Sequence, residues 1–369
     1  MLIELPISKS IANRLLILQA IHGDELMPVS DSMPEDVQIL HNALTTLRTF
    51  KTSKTLSTPH IDVGNCGTAM RFLTAYCAQL KGQTVILDGV ERMHHRPIGQ
   101  LVDALREIGA DIDYLGEEGF PPLRINGCVL DKHRIVRIDN PLSTQFVSAL
   151  LLIGANVQTD STSPYITLTR ALIEQYALAS SPYRLSPLAI ERDWSSAAFW
   201  YEYVALHGGE IELPGLYKDS LQGDKVVADI FARLGVHTEY TAEGITIAST
   251  GVADLQRSDL QGIDARSTAQ RSAEEILCQD FSACPDLYPA VALTCERLGI
   301  ELHATGVESL PLKESDRLRA VAEHRTDADH RMAMALLIAG YEVDDTACIS
   351  KSYPQFIEQF QRFNSIKVQ

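Results

Sequence analysis

The chain has 369 residues, of which 45% are hydrophobic and 22% charged, a balance that excludes disorder as the main state and points to two or three globular domains. A net charge of −16 argues against broad binding to nucleic acid or to an anionic membrane, while leaving room for a small anionic ligand held by a local cluster of cations. The longest apolar runs, Ala149–Ile153 and Ala333–Gly340, fall short of a membrane span.

The opening MLIELPISKS lacks a basic-then-apolar leader, so a cytoplasmic protein is expected. Ser8-Lys9-Ser10 then leads into an apolar helix over Leu15–Ala20. Lys9 and Arg14 would lie near the free N–H groups of its first turn, which makes either an anion site or an ordinary capped helix with solvated cations. Gly64-Asn65-Cys66-Gly67-Thr68 precedes a second such helix over Met70–Ala78. Its glycines would let backbone N–H groups approach an anion or simply form a tight turn. No GxxxxGK[ST] pattern occurs, so nucleotide hydrolysis is not indicated. Arg92 and Arg96 bracket Met93-His94-His95. The histidine pair reads as solvated or structural rather than metal-binding, because neighbours on a regular element point apart, and Arg96 is the better anion ligand.

Four more polar clusters run into apolar helices: Ser143-Thr144-Gln145, Asp193-Trp194-Ser195-Ser196, Pro285-Asp286 and Asp329-His330-Arg331. Ser, Thr, Asp and Asn at such places are N-cap chemistry. Helices this apolar should be buried, so six of one design suggest positive helix ends converging on a common cleft. Asp286 is either a cap or a general base tuned by burial and neighbours. Lys313-Glu314-Ser315-Asp316-Arg317 taken alone reads as a salt-bridge ladder on a helix surface. Segments Asp103–Gly119 and Asp229–Gly244 resemble each other; each predicts helix, Gly cap, strand, turn and strand, hence duplicated α/β halves. The seven cysteines are scattered without zinc spacing and read as reduced, mostly buried thiols.

Taken in order, PxSKSxxNR at Pro6–Arg14, GNxGTAMR at Gly64–Arg71 and RMxxRPIGxLVDALRxxGA at Arg92–Ala110 match a known pattern. It continues with PPLRI at Pro121–Ile125, STQF at Ser143–Phe146, PYI at Pro164–Ile166, QGD at Gln222–Asp224 and PD at Pro285–Asp286. KESDRL at Lys313–Leu318, DHRMAMA at Asp329–Ala335 and KSYPQF at Lys351–Phe356 complete it. Across almost its whole length the chain resembles the 3-phosphoshikimate 1-carboxyvinyltransferase (5-enolpyruvylshikimate-3-phosphate synthase) family of enolpyruvyl transferases.

The resemblance implies an α/β, two-domain enolpyruvyl-transferase fold of repeated βαβαββ-type units with buried parallel helices and a cleft between the domains. Residues 9–219 would form the N-terminal domain, on the shikimate 3-phosphate side. Residues 1–8 plus 220–369 would form the C-terminal domain, carrying the acid/base and phosphoenolpyruvate side. The implied reaction moves the enolpyruvyl group of phosphoenolpyruvate to the 5-hydroxyl of shikimate 3-phosphate by addition and elimination, releasing phosphate. It needs no cofactor and no metal, and a monomer is expected.

By the same resemblance, Lys9, Ser10, Arg14, Ser143, Thr144, Gln145, Tyr165, Asp286, Ser309 and Lys313 would bind shikimate 3-phosphate. Lys9, Gly67, Arg96, Gln145, Arg317, Arg331 and Lys351 would hold phosphoenolpyruvate. Asp286 would be the base, with Glu314 and Lys9 as proton donors in either order. Ile7, Cys66 and Phe72 replace the usual Gly, Ala and Pro, and Ser309 stands where an asparagine is common. The Arg317–Arg331 interval is about half the usual length and the Arg14–Gly64 interval is also short, so one truncated C-terminal unit and one trimmed N-terminal unit are expected. The alternatives are a degenerate homologue that binds phosphorylated ligands without turnover, and the related UDP-N-acetylglucosamine enolpyruvyl transferase, which the Lys313–Leu318 and Ser143–Gln145 motifs disfavour.

Overall fold

The computed structural model describes residues 1–52, 58–179, 190–250 and 276–367. The chain divides into two compact units, one formed by Lys9–Ile190 and the other by Met1–Ser8 with Glu191–Gln369.

The Lys9–Ile190 unit is organised by apolar helices. Helices α1 (Lys9–His22), α3 (Gly67–Ala78) and α5 (Thr144–Leu152) pack on one another, with α2 (Glu35–Thr52) against α1 and α3, and α6 (Pro164–Ala179) against α1 and α5. Nearly every residue of α3 and α5 is buried, as expected for helices that are apolar all round. A four-stranded sheet with order β1-β2-β4-β3 (β1 His60–Asp62, β2 Thr84–Asp88, β3 Asp111–Tyr114, β4 Leu123–Asn126) covers α3 together with α4 (Gly99–Glu107). β1 and β2 are parallel, and the other pairs are antiparallel. A parallel pair, β5 (Ile135–Arg137) and β6 (Asn156–Gln158), flanks α4 and α5.

The second unit repeats the plan. Helices α7 (Trp194–His207), α9 (Tyr288–Leu298) and α11 (His330–Ala339) pack mutually around an aromatic and aliphatic core that includes Trp200, Phe231, Phe281, Met334 and Phe356. Strands β7 (Glu210–Pro214), β8 (Val236–Tyr240) and β9 (Gly244–Ser249) form an antiparallel sheet of order β7-β9-β8, with α8 (Val227–Ala232) beside β8. β10 (Ile276–Asp280) and β11 (Glu301–Thr305) form a parallel pair.

The internal similarity is realised: α4–β3–β4 and α8–β8–β9 are the same supersecondary unit, with antiparallel registers Tyr114↔Leu123 and Tyr240↔Ile245. Gly109 and Gly235 end the helical segments at φ +97° and +86°, a region where a Cβ is costly. Gly244 serves differently. It lies against the Leu213 carbonyl, only 2.4 Å from where a Cβ would stand.

One crossing between the units falls after Ser8. Ile3 donates to Glu212 O at 2.9 Å, Ser8 N donates to Glu191 O at 2.8 Å, and Ile7 bridges Arg192. The other crossing falls at Ile190–Glu191 rather than after residue 219. α7 precedes residue 219 and buries Trp194, Phe199 and Trp200 in the core of the second unit. A helix with twelve buried residues must travel with the core it fills.

The shortened interval is closed by α10 (Arg317–Glu323) and a tight link into α11. Among the described residues no strand follows β11. In the link, His324, Asp327 and Ala328 adopt φ of 52°, 46° and 57°, left-handed backbone that a Cβ disfavours. Thr326 Oγ1 donates to the Asp344 carboxylate and Arg325 Nε to Asp327 Oδ1 at 3.1 Å, so local bonds offset some of the strain.

Candidate functional site

In the Lys9–Ile190 unit, the helix starts named from sequence come together. Gln145, at the head of α5, donates through Nε2 to Thr68 Oγ1 at 3.0 Å, at the head of α3. Ser143 caps α5, accepting from Gln145 N at 3.3 Å. At α3 the cap is Cys66, whose Sγ accepts from Ala69 N at 3.4 Å, and not Asn65 or Thr68. Asn65 instead receives the Arg96 guanidinium, Nη1 lying 3.0 Å from its carbonyl and 3.3 Å from its Oδ1. Arg96 is 6% exposed, and its buried Nε has no partner among the described residues. It sits over Gly67, where an added Cβ would come within 2.5 Å of Nη2.

That geometry gives Gly67 a purpose the sequence left open. The clash is with the flexible end of a side chain, so Gly67→Ala should leave the unfolding midpoint nearly unchanged while displacing the Arg96 fork. A drop of about tenfold in affinity for inorganic phosphate, roughly the value of a charge-assisted bond, is expected by calorimetry. Unchanged affinity would make Gly67 a turn residue only.

Arg14 is 3% exposed and forms no ion pair among the described residues. Its Nε donates to Thr169 Oγ1 at 2.7 Å, its Nη1 to Ser10 O at 2.8 Å, and its Nη2 to Ser148 Oγ at 3.2 Å and Tyr165 O at 3.3 Å. Phe72 lies beneath the guanidinium at 5.5 Å, a cation–π contact. Burial pulls the Arg14 guanidinium down to about 10, still protonated at neutral pH. A buried cation fixed by neutral groups is a prepared anion site. Lys9 Nζ reaches Asp36 Oδ2 at 2.8 Å. Ser10, Ser143, Thr144 and Tyr165 are half-buried around these groups.

In the other unit, Asp286 lies in the turn Pro285–Leu287 that leads into α9 and makes no side-chain cap. Its carboxylate is instead gripped by cations: Arg317 Nη1 at 2.7 Å and Lys313 Nζ at 3.4 Å from Oδ1, and Arg331 Nη2 at 2.9 Å from Oδ2. Arg317, 1% exposed, also gives Nε to Asp329 Oδ2 at 2.8 Å and Nη2 to Glu314 Oε2 at 3.1 Å. Lys351 Nζ stands 3.4 Å from Glu314 Oε1. The segment Lys313–Arg317 is therefore not a surface ladder. α10 begins only at Arg317, so Lys313 and Glu314 fold inward from the preceding turn. Asp329 caps α11 through Arg331 N at 2.9 Å, which holds Arg331 in this cluster despite the shortened link. Arg331 Nη1 is buried with no partner among the described residues. Ser309 is half-buried at the turn before Leu310.

Burial opposes ionisation of Asp286, but Arg331, Lys313 and Arg317 outweigh it and hold the carboxyl well below the usual aspartate range. Asp224, from the Gln222–Asp224 motif, goes the other way: burial and the nearby Asp286 push it up to about 7, against the pull of Arg331 and a hydrogen bond from Ser195. Sequence reading missed both Asp224 and Asp36 as site neighbours. Gln222 is structural, donating through Nε2 to Glu191 Oε2 at 2.8 Å and Arg192 O at 2.7 Å and accepting from Ser8 Oγ at 2.9 Å.

A carboxyl raised by folding stabilises the fold below its unfolded value, and that contribution is lost as pH climbs through its folded value. For Asp224 the window runs from about 4 to about 7, whereas Asp286 acts only at lower pH. Asp224→Asn should therefore gain stability relative to the parent between pH 4 and 7, read as thermal midpoints across that range. A parallel pH dependence for both proteins would show that Asp224 is ionised throughout.

Among the described residues no group of three or more His, Cys, Asp or Glu side chains is placed to hold a metal ion. His94 instead pairs with Asp88 at 2.8 Å. No helix among them is long and apolar enough to cross a membrane.

The fold is that of a known class. An EPSP synthase from Acinetobacter baumannii has the same fold, with a TM-score of 0.62 at 18% identity, 98% of this chain and 95% of that chain being covered. A 3-phosphoshikimate 1-carboxyvinyltransferase of Bacteroides fragilis is 35% identical over 98% of this chain and 94% of its own length. One from Idiomarina loihiensis is 30% identical over 98% and 95%. The family profile EPSP synthase (3-phosphoshikimate 1-carboxyvinyltransferase) matches residues 2–326 and 321–360. The chain belongs to the EPSP synthase family. The two matched stretches overlap at residues 321–326, across the end of α10 and the start of the link to α11. The Bacteroides alignment runs over 418 positions, more than the 369 residues present, as expected if this chain lacks segments that its relatives carry.

Proposed function

We propose that this chain catalyses transfer of the enolpyruvyl group of phosphoenolpyruvate to the 5-hydroxyl of shikimate 3-phosphate, with release of phosphate. The observation that carries the reading is Asp286 clasped by Lys313, Arg317 and Arg331, a base and its anion-binding cations in one cluster. Both substrates are polyanions, and each unit offers a buried cation with a donor left for them among the described residues: Arg96 in one, Arg331 in the other.

Family membership supports the residue roles. Ser10, Arg14, Ser143, Thr144, Tyr165, Ser309 and Lys313 bind shikimate 3-phosphate. Gly67, Arg96, Arg317, Arg331 and Lys351 bind phosphoenolpyruvate, and Lys9 and Gln145 serve both. The 5-hydroxyl oxygen adds to the phosphate-bearing alkene carbon while its proton passes to Asp286 and the methylene gains one from Glu314 or Lys9. Loss of a proton from the new methyl group and departure of phosphate then restore the double bond. A carboxylate held by three cations is a weak base. Ligand anions that draw Arg317, Arg331 and Lys313 away would restore its basicity, so the base is switched on by the substrates it serves. The protein is proposed to work as a monomer with no cofactor.

A phosphate-release assay tests this. Release with both substrates and with neither alone is expected. Ligand-dependent thermal stabilisation without release would replace the proposal with a non-catalytic binder.

A further inference from the structure

We infer that Asp36 is a positioning residue for Lys9, an inference that rests on the catalytic reading above. Asp36 lies in the first turn of α2, and its side chain is 3% exposed. Burying a carboxylate is unfavourable unless its oxygens are satisfied. Here Oδ2 takes the Lys9 ammonium at 2.8 Å, while Oδ1 is buried with no partner among the described residues. Neither oxygen caps α2, so the side chain is not spent on its own helix. A half-satisfied buried carboxylate is a poor device for stability. It is a good one for holding a cation in one place.

Lys9 needs such a device. Its ammonium ends a four-carbon stem with several rotamers, and it stands at the first residue of α1 with 13% side-chain exposure. The Asp36 main chain is tied in turn to the phosphoenolpyruvate loop. Its carbonyl lies 3.9 Å from Cys66 Sγ, and the same sulfur caps α3, the helix that Gly67 begins. Asp36 thus fixes the Lys9 ammonium with respect to Gly67 and to Arg96, which lies over it. Cys66 supplies the link. A proton donor displaced by about 1 Å loses on the order of 100-fold in rate.

Two measurements on the full chain test this. The first is acetylation of Lys9 by an N-hydroxysuccinimide ester of acetic acid, followed by peptide mass spectrometry with the exposed Lys81 as internal reference. The second is steady-state turnover with both substrates. Asp36→Asn, which keeps the shape and removes the charge, should raise Lys9 labelling several-fold. It should lower kcat about 10–100-fold with the KM for shikimate 3-phosphate within about threefold of the parent. Asp36→Glu should recover protection of Lys9 and part of the rate, and it stands in if the asparagine variant does not fold. Unchanged Lys9 labelling in Asp36→Asn would overturn the inference, as would raised labelling with kcat within twofold of the parent. A parent protein that protects Lys9 but releases no phosphate would overturn the catalytic reading, and the positioning role with it, while leaving the ion pair itself demonstrated.

Discussion

Asp286→Asn is expected to lower kcat by about 10²–10⁴-fold, the usual worth of a positioned general base, while phosphoenolpyruvate binding becomes tighter. The two effects have opposite signs for one reason. In the free protein the Asp286 carboxylate occupies Arg317, Arg331 and Lys313, competing with the ligand anion for them. An amide of the same shape keeps the space and gives up the charge. The same change leaves three cations facing one another, at a cost of about 3 kcal/mol in the ligand-free protein. Inorganic phosphate should restore much of that stability by mass action. Single-turnover kinetics, calorimetry and thermal midpoints with and without phosphate check all three. A near-parental rate would remove Asp286 from the chemistry.

Arg317→Lys is expected to be the most damaging charge-conserving change in the chain. The guanidinium is 1% exposed and divides its N–H groups among Asp329, Asp286 and Glu314. An ammonium is a point charge on a flexible stem and cannot satisfy three carboxylates held in fork geometry. Loss of about 3–5 kcal/mol is expected for a broken buried ion-pair network, with turnover falling at least 100-fold as Asp286 and Glu314 lose their common anchor. The pH dependence gives the diagnostic. A buried carboxylate deprived of its cation has its folded pKa raised, so its stabilising contribution survives at low pH and is lost as pH rises. The midpoint of the variant should lie closest to the parent near pH 4–5 and fall away by pH 8. A constant difference across that range would show that packing alone, not charge pairing, is what Arg317 supplies.

Lys9, Asp286 and Arg331 stood out in the sequence because cations and carboxylates at the heads of apolar helices have few reasons to be there. Periodicity and caps made α1, α3, α5, α7, α9 and α11 legible, and turn glycines made the duplicated α4–β3–β4 and α8–β8–β9 units legible. The bound at residue 219 had no local signal to correct it, and the burial of α7 puts the crossing earlier, at Ile190–Glu191. Lys313–Arg317 misled because charges at close spacing suggest a helix surface, whereas the helix begins only at their last residue. Asp36 gave no signal at all, and Asp224 showed only as part of the Gln222–Asp224 motif, with no sign of its neighbours. An aspartate in a polar stretch has no pattern until a distant lysine or serine is folded onto it.

The sequence by itself determined which segments would be buried helices, where their polar heads lie and which family the motifs follow, since these depend on local period and residue chemistry. The tertiary structure alone decided the ion pairs: Asp286 with three cations, Lys9 with Asp36, and Arg14 with none among the described residues. Charge and burial set those partnerships, and both act between residues far apart in the chain, where one-dimensional spacing carries no information.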